Sequence, residues 1–213
     1  MERLLAGYAK FRQEVLPAQR EKYAELARGQ NPHTLFITCA DSRVVPNLIT
    51  QTEPGEIFTS RNVGNIVPTF GELMGGVSSS IEYAVVALEV QHIVVLGHSD
   101  CGAMKALLFP DAIASMKSVS TWLAQAQGAI HIVRETRPGL EGKELLEAVT
   151  EENVLVQLDH LRTHPAVAAK LRRNEITLHG WVYDISSGTV RAWDAEARHF
   201  APLPVQIPEP AGV

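Results

Sequence analysis

The feature that most constrains the fold of this chain is an alternation of short apolar runs with helical segments. Residues 34–38 and 92–96 are apolar runs rich in β-branched side chains, which is typical of strands buried on both faces. Strands that alternate with helices predict an α/β fold, with a mainly parallel central sheet flanked by helices. Polar residues 39–43 and 98–101 follow the two runs directly, and such sheets bind ligands beyond the carboxyl ends of their strands. The sequence therefore predicts a functional site where both polar clusters meet, at one edge of the sheet.

The chain is expected to form one domain over residues 1–213, with a helical arm at its start and an irregular tail at its end. Apolar residues recur at helical spacing through the arm, residues 1–30, with a break near Pro17. The tail, residues 203–213, is rich in proline. The other predicted elements are a strand over 56–60, a helix over 77–88, two or three helices within 118–173, and a closing hairpin over 176–183 and 189–193.

Composition and charge exclude several classes of function. Apolar residues make up 46% of the 213 residues and charged residues 20%, which excludes a disordered or fibrous chain. The formal net charge is −5 and no basic block occurs, so binding to nucleic acid or to an anionic membrane is not expected. Charged residues interrupt the apolar stretch at residues 81–97, and the charged amino terminus does not resemble a secretory signal. We therefore expect a cytoplasmic protein, in which two cysteines are more often thiols or metal ligands than a disulfide.

Three residues at the predicted sheet edge form a set of metal ligands. Cys39, His98 and Cys101 offer two thiolates and one imidazole, which are ligands suited to Zn²⁺. His98 and Cys101 lie three residues apart at the expected start of a helix, for which Ser99 or Asp100 would be the N-cap. Three protein ligands leave one position of a tetrahedral zinc site open, as in catalytic sites. Taken singly, each residue is more often a buried core residue or a loop histidine, so the interpretation depends on all three together.

Asp41 and Arg43 follow Cys39 at steps of two, which places them on one side of an extended segment. A carboxylate beside a guanidinium stays ionised and accepts hydrogen bonds in a fixed orientation. Three roles are open to Asp41: it can orient a zinc-bound hydroxide, accept its proton, or occupy the open position as a fourth metal ligand. The alternative is a surface ion pair, which would contribute little to stability.

These motifs resemble the paired signature of the β-class carbonic anhydrases. The signature consists of Cys-x-Asp-Ser-Arg at residues 39–43 and His-x-x-Cys at residues 98–101. The likeness continues at residues 61–65, 81–83 and 178–183, and it covers nearly the whole chain. Within the family, the sequence most resembles the bacterial enzymes associated with cyanate use and the cyanobacterial members.

The resemblance implies an enzyme, a carbonate dehydratase, with Zn²⁺ held by Cys39, His98 and Cys101. In this mechanism a zinc-bound hydroxide attacks CO₂ to form bicarbonate, and a proton leaves for the buffer. Asp41, paired with Arg43, would orient the hydroxide. In some relatives the aspartate instead coordinates zinc in a closed state, which makes Asp41 a conditional metal ligand here.

The resemblance also implies a small apolar substrate pocket and an oligomer. Gln30 matches a family glutamine that reaches the substrate from the partner subunit, so a homodimer is the minimum assembly, and homotetramers are common in the family. The backbone of Gly102 would help to position the substrate. The residues that match the pocket walls are Phe58, Val63 and Tyr83, for each of which core packing is the alternative explanation.

Some bacterial members have a second bicarbonate site formed by a tryptophan, an arginine and a tyrosine. Arg61 and Tyr183 match the last two, but Phe36 occupies the tryptophan position and has no indole N–H to donate. This departure argues against allosteric control by bicarbonate. In the alternative interpretation, Arg61 and Tyr183 are structural residues.

Two other functions are compatible with these residues. The same zinc site would also suit the hydrolysis of carbonyl sulfide or carbon disulfide, which some members of this fold perform. A third hypothesis is a non-catalytic, zinc-stabilised scaffold or bicarbonate-binding protein, although a purely structural site would not need the Asp41–Arg43 pair. The leading hypothesis is the reversible hydration of CO₂.

Overall fold

A sheet forms the centre of the computed structural model, which describes residues 1–72 and 75–204. Its strands, in chain order, are β1 (Thr34–Cys39), β2 (Ile57–Asn62), β3 (His92–His98), β4 (Thr177–Tyr183), β5 (Val190–Asp194) and β6 (His199–Pro202). Over the described residues the spatial order is β2-β1-β3-β4-β5-β6; the first four in this order are parallel, and the last two pair antiparallel. The predicted α/β fold with a mainly parallel sheet is confirmed.

Helices precede the sheet and connect its strands. They are α1 (Glu2–Lys10), α2 (Leu16–Ala18), α3 (Arg20–Leu26), α4 (Pro46–Thr50), α5 (Gly76–Glu82), α6 (Gly102–Leu108), α7 (Lys117–Leu123), α8 (Gln127–Thr136), α9 (Gly142–Thr163) and α10 (Pro165–Arg172). Segments of π-helix (Phe11–Val15 and Tyr83–Ala87) follow α1 and α5, and short 3₁₀ segments cover Pro110–Ile113 and Ala124–Ala126. None of the helices formed by the described residues combines the length and the apolar character that a bilayer span requires.

Residues 118–173 contain more helices than the two or three predicted. Residues 137–139, which contain Pro138 and Gly139, lie between α8 and α9. A further break separates α9 from α10 at His164, whose backbone is extended. The cause is Pro165, because the residue before a proline disfavours the helical conformation.

The helical arm predicted over residues 1–30 is present. None of the residues of α1, α2 or α3 is buried, and Leu4 and Tyr8 are largely exposed. Its break lies at Gln19, two residues beyond Pro17, where the backbone leaves the helical region with φ −116° and ψ 23°. The arm therefore presents apolar side chains that the other described residues leave exposed.

Helix α9 packs closely on one face of the sheet. Gly97 in β3 and Gly180 in β4 face Val154 of this helix, and a Cβ added at either glycine would lie 2.8 or 2.9 Å from a Val154 methyl carbon. Only glycine permits this approach, which brings α9 against the strands that lead to the predicted site. The buried side chains of this layer include Leu35, Ile37, Ile93, Val95, Leu161 and Val182.

The opposite face of the sheet is also buried around β1 and β3. Phe36, Val94 and Leu96 pack there with Val44 and with Ile49 of α4. All six residues of β1 are buried, as the continuous apolar run predicted.

The start of α6 differs from the prediction. Strand β3 continues through His98, and the N-cap of α6 is Cys101. Ser99 and Asp100, the predicted caps, have other partners: the Ser99 hydroxyl accepts a hydrogen bond from Ile185 N–H at 2.9 Å, and Asp100 adopts a left-handed backbone with φ 57°. The prediction was wrong because two further strand residues shift the helix start beyond both of them.

The closing hairpin of β4 and β5 is confirmed, and β6 continues it as a third antiparallel strand. Strand β6 was not predicted, because a run of four residues that ends in proline gives almost no strand signal. The irregular tail predicted over residues 203–213 lies outside the described residues from residue 205 onward.

Candidate active site

The three predicted metal ligands lie at the carboxyl ends of β1 and β3, the neighbouring strands between which the order of the sheet reverses. Strand β1 ends at Cys39, and its direct neighbour β3 ends at His98. The chain adds β2 beside β1 on one side and β4 beside β3 on the other, so a crevice opens between the carboxyl ends of β1 and β3. Parallel sheets bind ligands at such a switch point. Cys101 follows as the N-cap of α6 and completes the group.

The ligand atoms of Cys39, His98 and Cys101 all lie within 4.8 Å of one another, and the three residues are buried. The Ser99 carbonyl oxygen lies 2.9 Å from His98 Nδ1, which leaves Nε2 free to bind a metal. His98 Nε2 is buried without a hydrogen-bond partner. Metal–ligand bonds of about 2.0–2.3 Å allow one ion to contact atoms at such separations. The residues present therefore fit Zn²⁺, which prefers sulfur and imidazole nitrogen.

The two thiols titrate as a pair. The hydrogen bond with the Cys101 thiol lowers the pKa of Cys39 to about 4 against the opposing effect of burial, and Gly64 N–H, which donates to Cys39 Sγ at 3.4 Å, acts in the same direction. The same thiol–thiol hydrogen bond and burial raise the pKa of Cys101. The first proton leaves easily, and the second stays unless a cation replaces it, as expected of a metal site.

Asp41 and Arg43 form the ion pair predicted from their spacing. Arg43 Nη2 donates to Asp41 Oδ2 at 2.8 Å, while Arg43 Nε and the Arg43 backbone N–H donate to Oδ1 at 3.0 and 2.9 Å. These bonds, chiefly those from the guanidinium, hold the pKa of Asp41 well below its usual range. Asp41 Oδ2 lies 3.8 Å from His98 Nε2, so an ionised carboxylate faces the metal ligands. Coordination of a metal by Asp41 in a closed state stays a prediction.

Arg61, predicted for a second bicarbonate site, holds the loop that follows β1. Its Nε donates to the carbonyl oxygen of Cys39 at 3.2 Å, and its Nη2 donates to those of Asp41 and Val44, both at 2.7 Å. Three backbone oxygens around the metal ligand and the carboxylate are thus fixed by one guanidinium. These contacts favour a structural role for Arg61.

The other residues considered for that second site lie in the core beneath the loop. Phe36 is buried, and its ring meets that of Trp181 edge-on with 6.0 Å between the centroids. Tyr183 is half-buried against the same cluster. A second bicarbonate site at these residues stays a prediction.

Two of the predicted pocket residues lie beside the metal ligands. Val63 precedes Gly64, the donor to Cys39 Sγ, and its side chain is 42% exposed rather than packed in the core. Trp122 Nε1 donates to the Val63 carbonyl oxygen at 2.8 Å, which fixes this part of the loop. Gly102 is exposed at the first position of α6, directly after Cys101.

The remaining pocket residues lie toward the amino ends of the strands, away from the metal ligands. Phe58 pairs in register with Leu35, four residues before Cys39, a separation of about 13 Å along a strand. Tyr83 packs against Phe58 with ring centroids 5.9 Å apart and is half exposed. Gln30 precedes the amino end of β1 and is exposed. The fold therefore does not bring Gln30, Phe58 and Tyr83 to the metal ligands of their own chain.

Two residues that the motifs did not assign to the site contact it. Asp100 binds Arg43, with 3.2 Å between Nη1 and the carboxylate. Asn153 of α9 is fully buried, and its Nδ2 donates to the carbonyl oxygen of Gly64 at 3.1 Å. The available signal for Asn153 was an amide on the buried side of a long helix, a position that demands a hydrogen-bond partner.

Fold and site together define an α/β protein with a Cys₂His group that can bind a metal, at the switch point of a parallel sheet. The family model described as carbonic anhydrase matches residues 34–190, which is most of the chain. The chain therefore belongs to the carbonic anhydrase family, and its resemblance to the β class is confirmed.

Relatives and a solved structure agree with this assignment over nearly the full chain. Carbonic anhydrase 1 of Escherichia coli O157:H7 is 48% identical over 203 residues, which are 95% of this chain and 92% of the relative. The carbonic anhydrase of Synechocystis sp. is 44% identical over 201 residues, or 94% of this chain and 73% of the relative. The structure of the β-carbonic anhydrase CcaA is 43% identical with a TM-score of 0.93, covering 95% of this chain and 99% of that one. The prediction of an enzyme of the carbonate dehydratase class is confirmed.

Proposed function

We propose that this protein catalyses the reversible hydration of CO₂, in which CO₂ and water give bicarbonate and a proton. The observation that supports this most directly is the ionised Asp41, held by Arg43, that faces the buried Cys39–His98–Cys101 group. A structural zinc site uses four protein ligands and needs no such carboxylate. The arrangement is thus that of a site built to act on a molecule at an open metal position.

Cys39, His98 and Cys101 would hold Zn²⁺ and leave one position for the reacting water. When bound, zinc would lower the pKa of that water to about 7, which supplies hydroxide at neutral pH. The Gly64 N–H at Cys39 Sγ and the Ser99 carbonyl at His98 Nδ1 would orient two of the three ligands, as outer hydrogen bonds do in metal sites.

Asp41 would orient the attacking oxygen. Oδ2, the oxygen that faces His98, would accept a hydrogen bond from that oxygen and so direct its lone pair toward the carbon of CO₂. The low pKa of Asp41 keeps the carboxylate an acceptor throughout the neutral pH range. Arg43 keeps it in place through two side-chain hydrogen bonds.

A second copy of the chain is proposed to complete the substrate pocket. Gln30, Phe58 and Tyr83 lie too far along the sheet to reach their own metal ligands. The exposed apolar residues of the arm, such as Leu4 and Tyr8, offer a surface for that second copy. An apolar pocket wall suits CO₂, which has no net charge and no net dipole. A homodimer is the minimum assembly, and a homotetramer built from it meets the same requirement.

Complementation between inactive variants tests the shared pocket. Cys101→Ala removes a metal ligand, and Gln30→Ala removes a residue that the partner's site is proposed to need. Mixing and reassociating the two variants should restore about a quarter of the wild-type activity, because half of the dimers would contain one intact site. No recovery, with mixed dimers demonstrated, would refute a pocket shared between subunits.

The metal and the carboxylate are tested separately by stopped-flow CO₂ hydration with a pH indicator. Cys101→Ala should lose zinc and activity together. Asp41→Asn should keep zinc and lose activity by about 10²-fold, the contribution of one positioned acid–base group. Wild-type turnover by Asp41→Asn would contradict the proposed role of the carboxylate. Carbonyl sulfide or carbon disulfide hydrolysis without CO₂ hydration would favour the other enzyme, and zinc binding without either reaction would favour a scaffold.

A cytoplasmic location is part of this proposal. Cys39 and Cys101 are both free thiols, and a zinc site with two thiolates requires them to stay reduced. Fractionation of the native cells, followed by an immunoblot of the cytoplasmic fraction, tests the location.

A further inference from the structure

Asp100 occupies a backbone position that favours glycine. It lies between the end of β3 and the N-cap of α6, and its φ of 57° is in the left-handed region. Glycine adopts this region without strain, whereas other residues carry a steric cost there. Aspartate is tolerated better than most, often because its carboxylate bonds to the nearby backbone. In this structure the carboxylate instead contacts the side chains of Arg43 and Lys105.

Arg43 is held between two aspartates. Its Nε and Nη2 donate to Asp41, while its Nη1 donates to Asp100 Oδ2 at 3.2 Å and its Nη2 also reaches the Asp100 carbonyl oxygen at 3.3 Å. The second carboxylate oxygen of Asp100 forms an ion pair with Lys105 of α6. The four charged side chains therefore alternate in sign from the exposed surface of α6 to the carboxylate that faces the metal ligands.

The ion pairs of Asp100 contribute little to stability. The side chains of Arg43 and Asp100 are 44% and 55% exposed, and ion pairs this accessible contribute little to folding. Asp41, by contrast, is only 17% exposed. The bidentate bonds from Arg43 to Asp41 fix the two side chains relative to each other, whereas the contact with Asp100 attaches this pair to the loop before α6. Asp100 thus supplies the second anchor for the group that orients Asp41.

We propose that Asp100 is a positioning residue for the reaction: by fixing Arg43, it fixes the direction in which Asp41 meets the reacting oxygen. The inference rests on the proposed function, in which Asp41 orients that oxygen. It predicts that Asp100 affects turnover through Asp41 and has little effect on metal binding or on folding.

Asp100→Gly separates this role from a purely structural one. If Asp100 serves only the turn, glycine should fold as well or better and leave turnover unchanged, because φ 57° suits it. If Asp100 positions Arg43, the variant should keep its zinc content and unfolding midpoint while kcat falls about 10-fold and KM changes little. Asp100→Asn, which tolerates the same backbone and loses only the charge, should lower kcat in the same direction. Wild-type kcat in both variants would overturn the proposal.

A double-mutant cycle tests whether Asp100 acts through Asp41. In an Asp41→Asn background, Asp100→Gly should cause little further loss, because the carboxylate that Arg43 orients is already absent. A full additional 10-fold loss there would overturn the proposed route. Wild-type turnover by Asp41→Asn alone would instead refute the proposed function, so the two failures are distinguishable.

A matched control is available elsewhere in the chain. Glu89 is an exposed acidic residue with φ 53°. It lies just before the amino end of β3, whereas the metal ligands lie at the carboxyl end. Glu89→Gly makes the same change of residue class at the same backbone conformation. It should leave kcat at the wild-type value, and an equal loss of turnover in both glycine variants would refute a specific role for Asp100.

Discussion

Replacement of Asn153 by alanine should weaken metal binding from a position outside the ligand set. Asn153 is fully buried in α9; its Nδ2 donates to Gly64 O at 3.1 Å, and its Oδ1 accepts a hydrogen bond from Gln157 Nε2 at 2.8 Å. Gly64 in turn donates its N–H to Cys39 Sγ at 3.4 Å. The Asn153 amide therefore holds Gly64, the residue whose N–H bonds to a proposed zinc-ligating sulfur.

Two buried polar groups, Gly64 O and Gln157 Nε2, would lose their partner in Asn153→Ala. Each unpaired group costs about 1–3 kcal/mol, so the free energy of unfolding should fall by roughly 2–6 kcal/mol. Domains are commonly stable by about 5–15 kcal/mol, and the variant should therefore fold at low temperature. Loss of a hydrogen bond made directly to a metal ligand typically costs about 10–100-fold; Asn153 acts one step further out, through Gly64, so we expect zinc affinity to fall by about 10-fold.

The assay compares Asn153→Ala with Gln157→Ala, its neighbour on the same helix. Gln157 is equally buried and binds Val67 N–H and Asn153, but it has no hydrogen bond to Gly64. Urea unfolding of the zinc-free proteins measures stability, and competition with a chromophoric chelator measures zinc affinity. Both variants should unfold at lower urea, whereas only Asn153→Ala should show the full loss of affinity. Equal losses of zinc affinity in the two variants, or wild-type affinity in Asn153→Ala, would refute the reasoning.

Three further perturbations test other parts of the structure. Hydrogen bonds from Ser186 and Ser187 lower the pKa of the Asp184 carboxyl, so their stabilisation is fully present above about pH 4 and is lost progressively as the pH falls below that value. Asp184→Asn should therefore destabilise the protein less at pH 2 than at pH 7, as measured by urea unfolding. Gly97→Ala should lower stability by about 1–3 kcal/mol through overpacking against Val154, and Val154→Ala in the same chain should restore part of it. Bicarbonate should inhibit hydration only weakly and without cooperativity, because Phe36 cannot donate a hydrogen bond and Arg61 is occupied by backbone oxygens; sigmoidal inhibition in stopped-flow assays would contradict this.

The sequence predicts those strands whose burial requires a continuous run of apolar residues. Strands β1 and β3 are continuous apolar runs, and both are buried on two faces of the sheet as that pattern requires. Strand β6 lies at the edge of the sheet, where four residues ending in proline need little apolar character, and no pattern marks it. The shift of the α6 start has a similar cause, since Ser99 and Asp100 are suitable N-caps by residue type but lie before the helix begins.

In the candidate site, too, contacts between residues that follow adjacent strands were predicted, and contacts with a distant helix were not. Cys39, His98 and Cys101 were predicted because their residue types and their positions after two strands suffice to bring them together. The contact of Asn153 with Gly64 joins residues 89 positions apart, and it depends on how closely α9 packs on the sheet. No pattern of neighbouring residues in the sequence predicts how closely this helix approaches the sheet. A polar residue on a buried helix face signals that a partner exists without identifying it.

The proposed site consists of two layers whose effects experiments can separate. The buried layer, which includes Asn153 and Gly64, fixes the metal ligands, and its loss lowers stability and metal affinity together because unpaired polar groups in the core are costly. The outer layer contains Arg43 and Asp100, which are about half exposed, so its loss should change turnover with little change in folding. Variants of the buried layer should therefore change mainly the free energy of unfolding, and variants of the outer layer should change mainly kcat. If kcat fell in proportion to the free energy of unfolding in both groups of variants, the outer charges would act only through stability.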